Sequence, residues 1–189
     1  MADTKEQELD EDGLVVQKYE SVVLCVLPQE GFGDQILRYA RSALYNVHVG
    51  TWSVSMAPDE PVTGRLQDEF LVDAGVASAD MSRYSGILIA GSEGKSSLAE
   101  DAKTLQLVRD AAAEGKLIAA WGNALEVLIN AGVVKGKKVT GDRSLADAAR
   151  KGGGKFTGRQ VEIAGSIVTA SDEGAGMRFG QALAELVRI

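Results

Sequence analysis

Apolar and polar positions divide the chain into two kinds of segment. Continuous apolar runs at 21–27 (SVVLCVL), 86–90 (GILIA) and 117–121 (LIAAW) are typical of strands covered on both faces. Between them lie stretches whose apolar residues recur every three or four positions, as in the helix predicted from about Asp34 to Tyr45. The apolar stripe of that helix consists of Ile36, Leu37, Ala40 and Leu44.

Strands that alternate with helices predict an α/β fold, with three layers and a largely parallel central sheet. Near the C-terminus, residues 160–170 (QVEIAGSIVTA) predict a hairpin that turns at Ala164 and Gly165, followed by a closing helix. No repeat or linker divides the chain. We therefore expect one domain over residues 14–189, preceded by an acidic, solvated tail over residues 1–13.

Length and composition exclude several classes of protein. The chain has 189 residues, of which 45% are hydrophobic and 25% charged, as in a globular α/β protein. No apolar run approaches the roughly 20 residues that a membrane-spanning helix needs. The first residues are acidic, unlike those of a signal peptide. We therefore expect a cytoplasmic protein without a membrane partner.

The net charge of −7 is concentrated at the N-terminus. Residues 1–13 contain six acidic residues and one lysine, a net charge of −5, which leaves −2 for the remaining chain. On this division neither part offers the basic stripe that nucleic-acid binding requires. The sequence therefore predicts no nucleic-acid partner.

The chain contains one cysteine, Cys25, and one histidine, His48. A single thiol forms no internal disulfide, and the two residues are too few for the usual zinc site or for a Ser-His-Asp arrangement. Because Cys25 lies inside an apolar run, we expect a buried, inert thiol. We expect His48 to pack or to meet solvent at a strand start. We predict neither a metal nor a cofactor.

Three loops, at 28–34, 91–96 and 121–124, follow predicted parallel strands and should meet at one edge of the sheet. The second contains Gly-Lys-Ser, but Ile89 stands where a phosphate-binding loop needs its first glycine. Backbone N–H groups in this loop remain suited to holding a carbonyl oxygen or an anion. The pocket candidates are Glu30, Gly31, Asp34, Gly91, Ser92 and Glu93.

Several segments resemble the ThiJ/PfpI superfamily, which includes protein deglycases and glyoxalases. They are 23–34 (VLCVLPQEGFGD), 83–94 (RYSGILIAGSEG), 115–140 (GKLIAAWGNALEVLINAGVVKGKKVT) and the hairpin 161–170. The resemblance implies a flavodoxin-like sandwich, usually a homodimer. It also implies a reactive cysteine at a sharp strand-to-helix turn, the nucleophile elbow.

The resemblance places Gly122 where the family has that cysteine, and Asn123 where many members have histidine. Ile36 stands at the position of the supporting acid, and Gly91 and Ser92 at the paired glycines of the oxyanion loop. We therefore predict a vestigial elbow of Trp121, Gly122 and Asn123 with no catalytic residue. The predicted function is a non-catalytic, stress-related scaffold or small-molecule binder.

Two alternatives remain open. An enzyme could use carboxylates, or a metal held by them, if Glu30, Asp34, Glu93 and Asn123 converge. An interaction protein could dock its acidic tail on a basic partner, or cover its own pocket with it. Trp121 either fills part of the space that a nucleophile would leave or stacks on a ligand.

Overall fold

The computed structural model describes residues 19–93 and 96–187; the predicted tail over residues 1–13 lies outside them. The helices within these ranges are α1 (Asp34–Tyr45), α2 (Ala102–Ala113), α3 (Leu125–Ala131), α4 (Ala146–Lys151) and α5 (Gly176–Leu186). The strands are β1 (Ser21–Val26), β2 (Glu30–Phe32), β3 (Val49–Ser55), β4 (Val62–Gly64), β5 (Glu69–Phe70), β6 (Ala74–Gly75), β7 (Gly86–Ile89), β8 (Leu117–Trp121), β9 (Lys138–Val139), β10 (Lys155–Phe156), β11 (Val161–Ala164) and β12 (Ile167–Ala170).

The central sheet has the strand order β11-β12-β8-β7-β1-β3-β6 within the described ranges. Neighbouring strands from β12 to β6 pair in parallel, and β11 pairs antiparallel to β12. The predicted α/β fold with a largely parallel sheet is therefore confirmed. Parallel strands need crossover connections, and the alternation of apolar runs with helical stripes supplies them.

Side chains of β1 alternate between two helix layers, because successive residues of a strand point to opposite faces of the sheet. Val23 and Cys25 belong to the core that α1 and α5 cover. Leu24 and Val26 belong to the core beneath α2, α3 and α4. All four residues are buried. The run of apolar residues is continuous because helices cover the strand on both sides.

The first predicted helix is confirmed with its predicted ends, and its four stripe residues are buried. The boundary of the hairpin differs from the prediction. The hairpin turns at Gly165 and Ser166, one residue later than predicted, because Ala164 still pairs with Ile167. A short 3₁₀ turn over Ser97–Ala99 precedes α2, which starts at Ala102 after its Asp101 cap.

A second, three-stranded sheet of β2, β4 and β5 stands beside the central sheet. We call residues 30–32 and 62–70 the flap. The sequence predicted only loop and polar chain here, because strands of two or three residues are too short to show an alternating pattern. Phe32 and Phe70 join its two ends by an edge-to-face contact, with ring centroids 5.9 Å apart.

Within residues 19–93 and 96–187, no helix is long and apolar enough to cross a membrane.

Candidate functional site

Loops from several strands meet at the carboxyl edge of the central sheet. The loop after β1 is tied to the loop after β7, since Gly33 N–H donates to the Gly91 carbonyl at 3.2 Å and Glu93 N–H to the Gly31 carbonyl at 3.2 Å. Asp142 N–H donates to the Gly122 carbonyl at 3.0 Å, which brings the segment after β9 to the same place. These loops form the walls of one site.

Gly122 stands at the apex of the turn between β8 and α3. Its φ is +58°, in the left-handed region that costs on the order of 1 to 3 kcal/mol for a residue with a Cβ. Apart from its chain neighbours, the atom nearest to a Cβ built there would be the Ser171 carbonyl oxygen, 3.9 Å away. The turn therefore has the backbone of an elbow, with room for a side chain above it.

Trp121, the residue before the apex, packs into the protein core. It is 3% exposed, and its ring meets Phe179 of α5 edge to face with centroids 5.9 Å apart. A cleft of about 260 Å³ remains beside Gly122. We call it the elbow cleft; its lining residues are Gly33, Arg65, Gly91, Ser92, Glu93, Trp121, Gly122, Asn123, Asp142, Ser171, Asp172 and Glu173.

The Asn123 side chain accepts the hydrogen bond of Ser92 N–H, the backbone donor of the oxyanion loop. Its Oδ1 accepts a hydrogen bond from Ser92 N–H at 2.8 Å, and its Nδ2 donates to Ser92 Oγ at 3.3 Å. Asn123 is 6% exposed, so these bonds lie largely out of water, where an unpaired N–H is costly. The Ser92 N–H is therefore engaged by the protein itself.

We expect Asn123→Ala to lower the free energy of unfolding by about 1 to 2 kcal/mol, because it leaves the Ser92 N–H without its acceptor. Urea denaturation measures the loss. Asn123→Asp is the matched control, since a carboxylate oxygen still accepts that hydrogen bond; it should lose less than Asn123→Ala at neutral pH. Equal losses in the two variants would show that the Ser92 bond contributes nothing.

Carboxylates dominate the elbow cleft: Glu93, Asp142, Asp172 and Glu173 all line it. Hydrogen bonds from the hydroxyl and then the backbone amide of Ser144 lower the pKa of Asp142, so that it stays ionised. The cation in the lining is Arg65 of the flap, whose guanidinium lies 3.0 Å from Glu93 and 3.5 Å from Glu173. The cleft is therefore acidic, and Arg65 bridges two of its walls.

A larger cleft of about 760 Å³ opens between the flap and the same loops. We call it the flap cleft. It shares Arg65, Glu93 and Glu173 with the elbow cleft, and Glu30 and Gly31 also line it. Five of the six pocket candidates, Glu30, Gly31, Gly91, Ser92 and Glu93, thus lie along one or the other cleft.

Asp34, the sixth candidate, lies elsewhere, which corrects its assignment to the pocket. It is 2% exposed and lines neither cleft. Its Oδ2 accepts a hydrogen bond from Leu66 N–H at 2.8 Å, and its carboxyl packs against Gly64. Asp34 therefore anchors the flap to α1 from below. A short side chain in the first turn of a helix caps or braces local structure more readily than it reaches a ligand.

The remaining predicted residues also lie away from the clefts. Ile36 is fully buried against Gly33. Cys25 is buried within β1, and burial raises the pKa of its thiol to about 12. His48 is exposed just before β3, at the opposite edge of the sheet from the clefts. Among residues 19–93 and 96–187, no group of three or more His, Cys, Asp or Glu residues is arranged to hold a metal ion.

Four charged residues of the elbow cleft were not predicted from the sequence: Arg65, Asp142, Asp172 and Glu173. The sequence does indicate the position of two of them, Asp172 and Glu173. Residues 171–175 (SDEGA) follow a predicted strand, and β12 runs parallel to β8, so its carboxyl end must reach the same edge. Arg65 comes from the flap, whose strands show no pattern, and Asp142 follows a strand of two residues.

Comparison with known proteins gives the same fold. The chain matches the DJ-1/PfpI family over residues 21–186. A ThiJ/PfpI domain protein from Brachyspira murdochii superimposes with a TM-score of 0.83 and 20% identity, covering 88% of this chain and 96% of that one. Drosophila melanogaster DJ-1beta superimposes with a TM-score of 0.79 and 21% identity, covering 88% of this chain and 90% of that one.

Two curated proteins are similar in sequence. Deglycase TK1284 of Thermococcus kodakarensis is 22% identical over 153 residues, which cover 79% of this chain and 89% of that protein. Putative cysteine protease YraA of Bacillus subtilis is 24% identical over 118 residues, covering 62% of this chain and 70% of that protein. The family match spans the whole central sheet and both helix layers. The chain therefore belongs to the DJ-1/PfpI family.

Proposed function

We propose that this protein is a non-catalytic member of its family, one that keeps the elbow and its cleft as a binding site for a small polar molecule. The observation that carries the proposal is Gly122 at the apex of the turn, in a left-handed conformation and with open space above it. A covalent intermediate of the acyl or hemithioacetal type needs a nucleophilic side chain at this point, and glycine has none.

The Asn123 side chain supports the same proposal. A backbone N–H stabilises an oxyanion only if it points at the position where that charge develops. In this chain Ser92 N–H is already bonded to Asn123 Oδ1 at 2.8 Å. A reacting carbonyl would have to displace a hydrogen bond that lies within the protein. The oxyanion site is therefore already occupied, and the turn beside it carries no nucleophile.

Other side chains are poorly placed to replace the nucleophile. Cys25 is buried inside β1 with a raised pKa, so it supplies almost no thiolate near neutral pH. Ser92 and Ser171 line the elbow cleft, but a serine needs an adjacent base. The chain's one histidine, His48, lies at the other edge of the sheet.

Carboxylate chemistry is the alternative, and it has less support. Glu93 and Glu173 each lie within ion-pair distance of Arg65, so both carboxylates already have a partner in the protein. Asp142 accepts two hydrogen bonds from Ser144, which disfavour its protonated form. Asp142 is therefore a poor general base. All three carboxylates suit the binding of a ligand that carries hydrogen-bond donors, since ionised carboxylates act only as acceptors.

We also propose that the protein is a homodimer, as the family resemblance implies. In support, Tyr39 of α1 and Met177 of α5 are 40% and 60% exposed on two helices that pack together, and an exposed apolar pair suits an interface. Light scattering coupled to size exclusion tests this point. A monomer mass at micromolar concentration would contradict it.

We expect the native protein to react with the thiol reagent DTNB only after unfolding, because Cys25 is 2% exposed and its thiol has a pKa of about 12. Gly122→Cys is the matched control, and its new thiol should react in the folded protein because the apex is open. Reaction of the native protein at a rate close to that of Gly122→Cys would contradict the inert assignment.

The raised pKa of Cys25 also predicts that the free energy of unfolding falls as the pH rises from about 9 to about 12, since the thiol of the unfolded chain ionises first in that range.

A further inference from the structure

Positive charge is concentrated in one segment of the chain, although we expected no basic stripe in either the acidic tail or the remaining chain. Residues 135–159 contain eight of the 20 lysines and arginines and only two acidic residues, a net charge of +6 in a chain whose total is −7. The net charge of −2 for the chain after residue 13 includes this segment, so that sum did not reveal it. We call its cations the basic face: Lys135, Lys137, Lys138, Arg143, Arg150, Lys151, Lys155 and Arg159.

All eight side chains of the basic face are exposed. Arg150 pairs with Asp147 at 2.7 Å, and Arg159 lies 3.6 Å from Glu162. Within the described part of the chain, the other six cations have no carboxylate at ion-pair distance. Most of the positive charge is therefore available to a partner.

The fold holds like charges together on this face. Lys138 of β9 and Lys155 of β10 are direct partners in the pairing of the two strands, an arrangement that costs stability when the charges are alike. The Lys135 side chain lies 3.2 Å from the position of a Cβ at Gly153, which precedes β10 by two residues. An anionic segment laid along this ribbon would relieve the repulsion.

The basic face reaches the amino edge of the central sheet, where the described chain begins. The Lys137 ammonium lies beside Gly165, in the turn before β12, 3.8 Å from the position of a Cβ there. Tyr19 precedes β1 at the same edge, because β12 and β1 belong to the same parallel set. Tyr19 itself packs against Gly50 of β3, and four strand spacings separate β12 from β3, or about 19 Å. The clefts lie at the opposite edge, which the basic face also approaches at Arg143, the residue after Asp142 of the elbow cleft.

We propose that the acidic segment over residues 1–13 docks on the basic face of its own chain. Its net charge of −5 complements the +6 of residues 135–159. The seven residue steps from Tyr19 back to Asp12 span about 24 Å when extended, more than the separation of the two strands. A tethered segment also has an effective concentration in the millimolar range, which favours it over a free anionic partner. The acidic cleft, by contrast, repels this segment.

The test compares two full-length variants with the same change in net charge. Asp10→Asn, Glu11→Gln and Asp12→Asn together neutralise part of the segment; Glu20→Gln, Asp59→Asn and Glu60→Gln neutralise three exposed carboxylates outside it. We expect the first variant alone to shift the backbone amide resonances of residues 135–159. These differences should disappear in about 0.5 M salt, where exposed charges are screened.

A second measurement uses an oligothymidylate of about 20 nucleotides as a polyanion probe. If the segment covers the basic face, the first variant should bind this probe at least about threefold more tightly than the second at low salt. Equal affinity would overturn the proposal and identify the face as an open surface for nucleic acid. Amide differences confined to residues near the substitutions would also overturn it. So would differences that fade on dilution, because they would mean docking on a second copy.

Discussion

Trp121→Ala is expected to lower the free energy of unfolding by about 4 kcal/mol, because truncating a buried aromatic side chain removes its burial and leaves a cavity. The ring is 3% exposed and rests edge to face on Phe179, so the variant loses core packing below the elbow. Chemical denaturation followed by circular dichroism measures the change.

The chain's other tryptophan is the matched control. Trp52 of β3 is 41% exposed, and Trp52→Ala should cost about 1 kcal/mol or less. If the two substitutions had similar effects, Trp121 could not be packed in the core and would have to lie loosely in the cleft. This pair of variants therefore distinguishes a packing role for Trp121 from a role in stacking on a ligand.

Gly91→Ala should lower the free energy of unfolding by about 3 kcal/mol, near the upper end of what overpacking costs. A Cβ at this position would overlap the carbonyl oxygen of Trp121 and press on its ring at 2.9 Å. A backbone carbonyl at the end of a strand that is paired on both sides cannot move aside as a flexible side chain can. The same variant should also disturb the elbow cleft, which both residues line.

Gly115→Ala provides the control for Gly91→Ala. Its φ is +66°, but no atom lies within 4 Å of a Cβ built there. Only backbone strain of about 1 kcal/mol is expected. A loss at Gly91 no larger than the loss at Gly115 would contradict the close approach of the two strand ends.

Much of the fold follows from local patterns in the sequence. The apolar run over residues 21–27 identified β1 because a strand covered on both faces has no polar side. The stripe of α1 identified that helix to its ends, since a helix beside a sheet buries residues three and four positions apart. The hairpin was displaced by one residue because Gly165 permits several turn geometries, and only pairing decides among them.

The candidate site was predictable only in part. Loops that follow parallel strands must meet at the carboxyl edge, so Glu93, Gly122 and Asn123 could be placed together. Arg65 could not, because the flap consists of very short strands that depend on tertiary contacts. Asp34 was misplaced for a related reason. Its partner is Leu66 N–H in the flap, a segment for which the sequence predicts no regular structure.

The hydrogen bond between Asn123 and Ser92 also could not be predicted from the sequence. The two residues are 31 positions apart, and nothing in either segment indicates that an amide oxygen meets that N–H. The basic face was missed for a different reason, because net charge was averaged over the whole folded body. A count over residues 135–159 would have found it.

Turnover of methylglyoxal and of a simple ester by the purified protein tests directly whether the protein is non-catalytic. We expect rates equal to those of buffer for the native chain and for Cys25→Ala, because the apex residue is Gly122 and Ser92 N–H is already bonded to Asn123. A family member with a cysteine at its elbow serves as the positive control. Turnover well above buffer that persists in Cys25→Ala would contradict the account.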